Sequence, residues 1–96
     1  MSLPQHFQTL FPLGIVTITS GIKALHTKGL NPLPYLERHA RGDWGDVSLG
    51  DNLANTVALL DGDDRLFSAF NTPQGRIWII TVHDRSFTTI CLPAEY

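Results

Sequence analysis

The densest group of chemically capable side chains lies in Arg41-Gly42-Asp43-Trp44-Gly45-Asp46, where two carboxylates, a guanidinium and an indole sit between glycines. Loops of this kind on a rigid scaffold often carry binding and catalytic residues. A second group, Asp84 and Arg85 with Thr88 and Thr89 close behind, falls in a tight connection after an apolar run. If the two loops met, an Arg–carboxylate pair of bidentate geometry would line one polar pocket. Arg41, Asp43, Trp44, Asp46, Asp84 and Arg85 therefore form the candidate polar cluster. Its plain structural alternative is an Asx-type turn at Asp43 or Asp46, an indole buried over the helices, and an ion pair bracing a turn.

An enzyme built on these residues would be a small ribonuclease or toxin, with Arg41 and Arg85 binding phosphate and His83 and Asp84 as an acid–base pair. The charge balance opposes it. Lys and Arg number 7 against 9 Asp and Glu, for a net charge of −2, and the bases are scattered along the chain. An RNA-cleaving or nucleic-acid-binding domain needs a clustered basic face. No residue is assigned a catalytic role, and nucleic acid is not the expected partner. His26, His39 and His83 with Asp43 and Asp46 include donor types suited to zinc or manganese, but no spacing such as HExxH frames them. No metal and no cofactor is expected. Cys91 is the single cysteine, which excludes an intrachain disulfide and fits a reducing, cytoplasmic setting.

A length of 96 residues gives room for one domain, and an apolar fraction of 43% with 17% charged residues is globular composition. No run approaches the roughly 18 apolar residues that would span a bilayer, so no membrane association is expected. Residues 1–12 read as an irregular tail and 13–96 as a single α+β domain. The β-branched run from Ile15 to Ile18 predicts a short strand. Thr19 or Ser20 can cap a helix carrying Ile22 and Leu25 and closed by Gly29. Asn31 and Pro32 open a second helix, with Leu33, Leu36 and Ala40 on one face, His39 beside it, and Gly42 at its end. Ser48 followed by Asp51 opens a third, in which Leu53, Val57 and Leu60 form a 3.6-period stripe before Gly62. Strands over 65–71, 77–82 and 87–92, linked at Thr72-Pro73-Gln74-Gly75 and His83-Asp84-Arg85-Ser86, complete a C-terminal antiparallel meander packed on the short helices. The expected order is β-α-α-α-β-β-β.

The stretches His39 to Asp46, Asp51 with Asn55, Trp78-Ile79-Ile80-Thr81, Asp84 to Thr89 and Leu92-Pro93-Ala94-Glu95-Tyr96 resemble a group of roughly hundred-residue bacterial hypothetical proteins, many of them on plasmids and other mobile elements. The resemblance covers nearly everything from Leu13 onward. It implies a mobile-element setting and a fold of this kind, and no activity. Some members carry the label "type I restriction endonuclease subunit M". A methyltransferase needs a larger cofactor fold with a Gly-rich loop after its first strand, and Asn31-Pro32-Leu33-Pro34-Tyr35 reads here as a capped helix start. His83 stands where the group has a small residue before Asp84.

Ile77-Trp78-Ile79-Ile80 is apolar on both alternating faces, as in a central strand covered on each side. If the helices blanket one face, the other leaves Trp78 and Ile80, or Ile77 and Ile79, for a partner. The expected function is a non-enzymatic protein-interaction or regulatory module, a homodimer or a complex with another protein through Ile77, Trp78, Ile79 and Ile80. The ribonuclease-like enzyme using the Arg/Asp cluster is the alternative.

Overall fold

The structure, a computed structural model, describes residues 9–96. The elements are β1 (Ile15–Ile18), α1 (Ser20–Thr27), α2 (Leu33–Ala40), α3 (Leu49–Asp61), β2 (Leu66–Thr72), β3 (Gly75–Thr81) and β4 (Phe87–Cys91), followed by a single 3-10 turn, Pro93–Glu95. This is the α+β order expected from the sequence. β2, β3 and β4 form the antiparallel meander, with Ile79 set between Ser68 and Ile90. β1 adds to the far side of β4 in parallel, giving the sheet order β1-β4-β3-β2. A parallel neighbour requires a long crossover, and the helices and the first hairpin supply it.

Local chemistry sets the helix ends. Thr19 Oγ1 accepts from the Ile22 amide at the start of α1, and Ser48 Oγ accepts from the Asp51 amide at the start of α3. The Glu95 carboxylate accepts from Thr19 Oγ1 (2.6 Å), the Gly21 amide (3.0 Å) and the Leu92 amide (2.8 Å), which fastens the 3-10 turn to the N-terminal end of α1. Those donors, Thr19 foremost, hold the Glu95 carboxyl below the usual carboxylate range.

Strand alternation turns Leu66, Phe70, Ile77, Ile79 and Ile90 to one sheet face, where they pack with Ile22, Leu30 and Leu36 from the helical half. Part of the stretch expected as tail belongs to this core: Phe11 is buried and stacks 6.2 Å from Trp44. The rest of that expectation, residues 1–8, lies outside the described residues.

The docking face expected across β3 requires correction. Ile77 and Ile79 are 0% exposed and Ile80 2%. Only Trp78 is half-buried, edge-on to Phe67 and Tyr96. The strand is apolar on both sides because this chain buries both.

α3 also departs from expectation, because it does not blanket the sheet. It flanks the outer edge of β2, and only Asn55 and Ala58 are fully buried. Asn55 Nδ2 donates to the Phe67 carbonyl (2.7 Å) and Asn55 Oδ1 accepts from the Phe67 amide (2.9 Å), so one side chain reproduces a neighbouring strand. The next stretch of edge pairs with the loop before α3: the Ala69 amide donates to Trp44 O, the Asp46 amide to Ala69 O, and the Asn71 amide to Asp46 Oδ2. An open strand edge invites pairing with other chains, and here the edge is occupied along Phe67, Ala69 and Asn71.

Gly45 makes that close approach possible. Its φ is +73°, and a Cβ there would collide with the Ala69 carbonyl and the Phe70 ring. Gly62, which ends α3 with φ +69°, has open space around it. Gly45→Ala is expected to destabilise the protein by more than about 2 kcal/mol, and Gly62→Ala by about 1 kcal/mol. Denaturant unfolding of the two variants checks the difference, and equal losses would contradict the assigned packing of the loop.

Candidate functional site

The helical period of α2 turns Leu36, His39 and Ala40 inward. Three strands place a hydroxyl below that face: Ser68 on β2, Thr81 on β3 and Thr88 on β4, all fully buried. His39 Nδ1 lies 2.5 Å from Ser68 Oγ and His39 Nε2 2.9 Å from Thr81 Oγ1. Thr81 Oγ1 is 2.7 Å from Thr88 Oγ1, and Thr88 Oγ1 donates to the Leu13 carbonyl at 2.7 Å.

One carbonyl orients the whole chain of bonds. Thr88 has a single hydroxyl hydrogen and gives it to Leu13 O, so Thr81 must be the donor between the two threonines. With its hydrogen committed, Thr81 can only accept from His39. His39 is therefore the Nε2–H tautomer, and its bare Nδ1 accepts from Ser68. Phe11 and Trp44 close the remaining sides, with ring centroids 5.4 and 5.6 Å from the imidazole. Burial in this shell lowers the His39 pKa from 6.5 to about 3, because a second ring proton would bring charge into a desolvated site walled by aromatic rings and neutral hydroxyls.

The six residues of the candidate polar cluster divide between two places. Around the first loop, Arg38 Nε pairs with Asp43 Oδ2 at 2.7 Å, and the Gly45 amide donates to Asp43 Oδ1 at 3.2 Å. The Arg38 hydrogen bond holds the Asp43 carboxyl below its ordinary value and raises the Arg38 guanidinium above its own. Asp46 serves the β2 edge, and Arg76 donates to the Asp46 carbonyl and to Asn71 Oδ1. Trp44 is buried over His39, and Arg41 is exposed.

The second group closes on different partners. Arg85, in a left-handed conformation with φ +61°, donates to the carbonyls of Asp64, Val82, His83 and Ala58. Asp84 Oδ1 accepts from the Ser86 amide, and Ser86 holds the Asp84 carboxyl low. Asp46 works at Asn71 and Arg85 at Asp64, so most of β2, about 17 Å of extended strand, separates the groups. No hydrogen bond joins them among the described residues.

The histidines weighed as metal donors also part company: His39 spends both nitrogens on hydroxyls, and His26 Nδ1 lies 2.8 Å from the Leu30 carbonyl. Among the described residues no three His, Cys, Asp or Glu side chains gather in ligating positions. Cys91 is buried, and desolvation pushes its thiol up. A recess of about 350 Å³ opens between Asp51, Arg65, Phe67, Trp78 and Tyr96, and Trp78 Nε1 behind it has no hydrogen-bond partner among the described residues.

Arg38 and Ser68 are structural polar residues that the sequence reading did not single out, while Asn55, Thr81 and Thr88 were named there without their buried partners. The signal for three of them was period-2 alternation, which turns Ser68, Thr81 and Thr88 to the same side as Phe70, Ile79 and Ile90. Inward hydroxyls on three neighbouring strands require a shared buried partner. Comparison with protein-family models, curated proteins and solved structures finds no match to the chain.

Because the folded-state pKa of His39 lies below the unfolded value, the unfolded chain takes up this proton first as the pH falls. The stability contributed by the neutral ring is complete above about pH 6.5 and is lost progressively toward about pH 3, with a slope approaching about 1.4 kcal/mol per pH unit. Urea unfolding between about pH 6.5 and about pH 5, above most carboxylate titration, is expected to show this loss in the wild type and not in His39→Gln. Equal slopes in the two proteins would contradict the buried neutral ring.

Proposed function

We propose that the protein is a non-enzymatic interaction module that docks a protein partner through the outward face of α3. The observation that carries this reading is a row of large apolar side chains left in water: Leu49 is 77% exposed, Leu53 58%, Val57 56% and Leu60 82%. At 3.6 residues per turn they fall within an arc of about 80°, on the side of the helix opposite Asn55 and Ala58. A stripe of this width is what a helix normally presents to a core, and a contiguous apolar patch on a folded surface marks an interaction site. The sequence period was read correctly as a helix, and the chain buries the other side.

Two further features support a binding role. Asp43, Asp46, Asp84 and Arg85 are engaged in turns, strand-edge contacts and helix-end contacts, and the two halves of the Arg/Asp cluster lie apart, which weighs against the ribonuclease-like alternative. Beside the stripe runs a recess of about 420 Å³ lined by Ala54, Val57, Ala58, Asp61, Asp63 and Asp64, giving a partner helix a place to seat. The mobile-element setting rests on the family resemblance, and the cytoplasmic setting on the lone cysteine. Among the described residues, no helix is long and apolar enough to cross a membrane.

The test is the double variant Leu53→Asp/Leu60→Asp. Both positions are exposed, so unfolding free energy should change by no more than about 0.5 kcal/mol. Purified from a bacterial host at matched expression, wild type and Asp84→Ala should each yield a stoichiometric complex, with a second copy or another protein, that the double variant fails to form. A complex indifferent to the double substitution would refute the assignment of α3.

A further inference from the structure

We infer that the occupant of the α3 face is a second copy of this chain, with the two α3 helices packed antiparallel across a two-fold axis. This rests on reading α3 as the interaction surface, and it adds the identity and orientation of the partner.

The first argument is the symmetry of the stripe. A two-fold interface is self-complementary, so each residue must meet its counterpart on the other side of a common midpoint. The outer pair, Leu49 and Leu60, and the inner pair, Leu53 and Val57, share a midpoint beside Asn55. Laid antiparallel on a second copy, Leu49 meets Leu60 and Leu53 meets Val57 in both directions at once. An apolar row evolved to fit a foreign surface has no need of this centring.

Charge gives the second argument and chooses the orientation. α3 ends on Asp61, with Asp63 and Asp64 just beyond and no basic residue in its last turn. Acidic groups at a helix C-terminus oppose the helix dipole. An antiparallel neighbour brings its N-terminal first turn, with free amides and positive potential, alongside these carboxylates. Asp51, the acidic residue of that first turn, lies on the far side of the helix from the stripe and borders the aromatic recess beside Trp78. A parallel arrangement would align the two dipoles and bring both acidic ends together.

The helix also sets the strength. α3 is about 20 Å long, and one helix pair buries less than a standard interface, which places the contact among reversible associations. Each chain keeps its own core, so monomer and dimer are both folded species.

Light scattering or sedimentation of the purified full chain from about 1 μM to about 1 mM should show a concentration-dependent dimer. Leu53→Asp should raise its dissociation constant at least about tenfold while leaving the melting temperature in place. Orientation is read by mixing Leu53→Cys with Val57→Cys under mild oxidation, with the native Cys91 buried. Mixed 53–57 links should dominate, and predominance of 53–53 and 57–57 links would overturn the antiparallel arrangement. A chain that stays monomeric throughout, while Leu53→Asp/Leu60→Asp still abolishes a complex with a protein of different sequence, would overturn the second copy and leave the α3 surface standing. A dimer insensitive to Leu53→Asp would overturn both.

Discussion

His39 ties α2 to β2 through Ser68 and to β3 through Thr81, and Thr81 carries the connection through Thr88 to the backbone that leads into β1. A single buried hydrogen bond adds only about 1 kcal/mol net, but an unpaired buried donor or acceptor costs about 1–3 kcal/mol. Linked bonds also polarise one another in a low-dielectric interior. The arrangement therefore specifies as much as it stabilises. Slipping β3 by one residue would point Thr81 away from the helices and set Ile80 against His39, leaving the His39 Nε2–H without an acceptor and Thr88 without its donor. Neutrality of the ring is the condition for all of this, since every hydroxyl hydrogen is committed in one direction from Ser68 to Leu13.

The polar loops follow from a second constraint, the open side of β2. A sheet of four strands has two edges. On the β2 side Asn55 imitates strand backbone at Phe67, while Trp44 and Asp46 continue the pairing at Ala69 and Asn71. Trp44 does two things at once, because its carbonyl pairs with the sheet and its ring closes the wall over His39. The Arg38–Asp43 pair holding the loop is about half exposed, with side-chain exposures of 47% and 52%. An ion pair of that kind contributes little by itself, and its use is to aim the loop. Arg85 performs the matching task below α3, gathering carbonyls from the end of that helix and the β3–β4 connection.

What could be read in the chain beforehand was what is local. Thr19, Ser48 and Gly62 act at the helix ends as their types imply, and the meander follows from three apolar runs separated by turn residues. Two things depend on contacts distant in sequence and left no local trace. Parallel pairing of β1 with β4 joins residues more than 70 positions apart. The facing of α3 was hidden because a 3.6-residue period reveals that a helix has two sides without saying which is buried. Here two edge-making residues, Asn55 and Ala58, take precedence over four large apolar ones. In the polar cluster the residue types were legible and their partners were not, since the partners are mainly backbone groups of nearby turns, of β2 and of the end of α3.

These constraints divide the surface by use. His39 is turned inward and Asp46 and Arg85 onto the backbone, while a row of large apolar side chains is presented by α3. That division holds only if His39 is sealed, because an imidazole reachable by water would restore an acid–base group beside Trp44 and Asp43. The direct measurement is the nitrogen-15 chemical shift of the His39 ring followed through an acid titration. A protonated Nε2 and a bare Nδ1, unchanged to about pH 4, is the result the hydrogen-bond direction requires. An Nδ1–H tautomer, or a titration near the ordinary imidazole value of about 6.5, would contradict it.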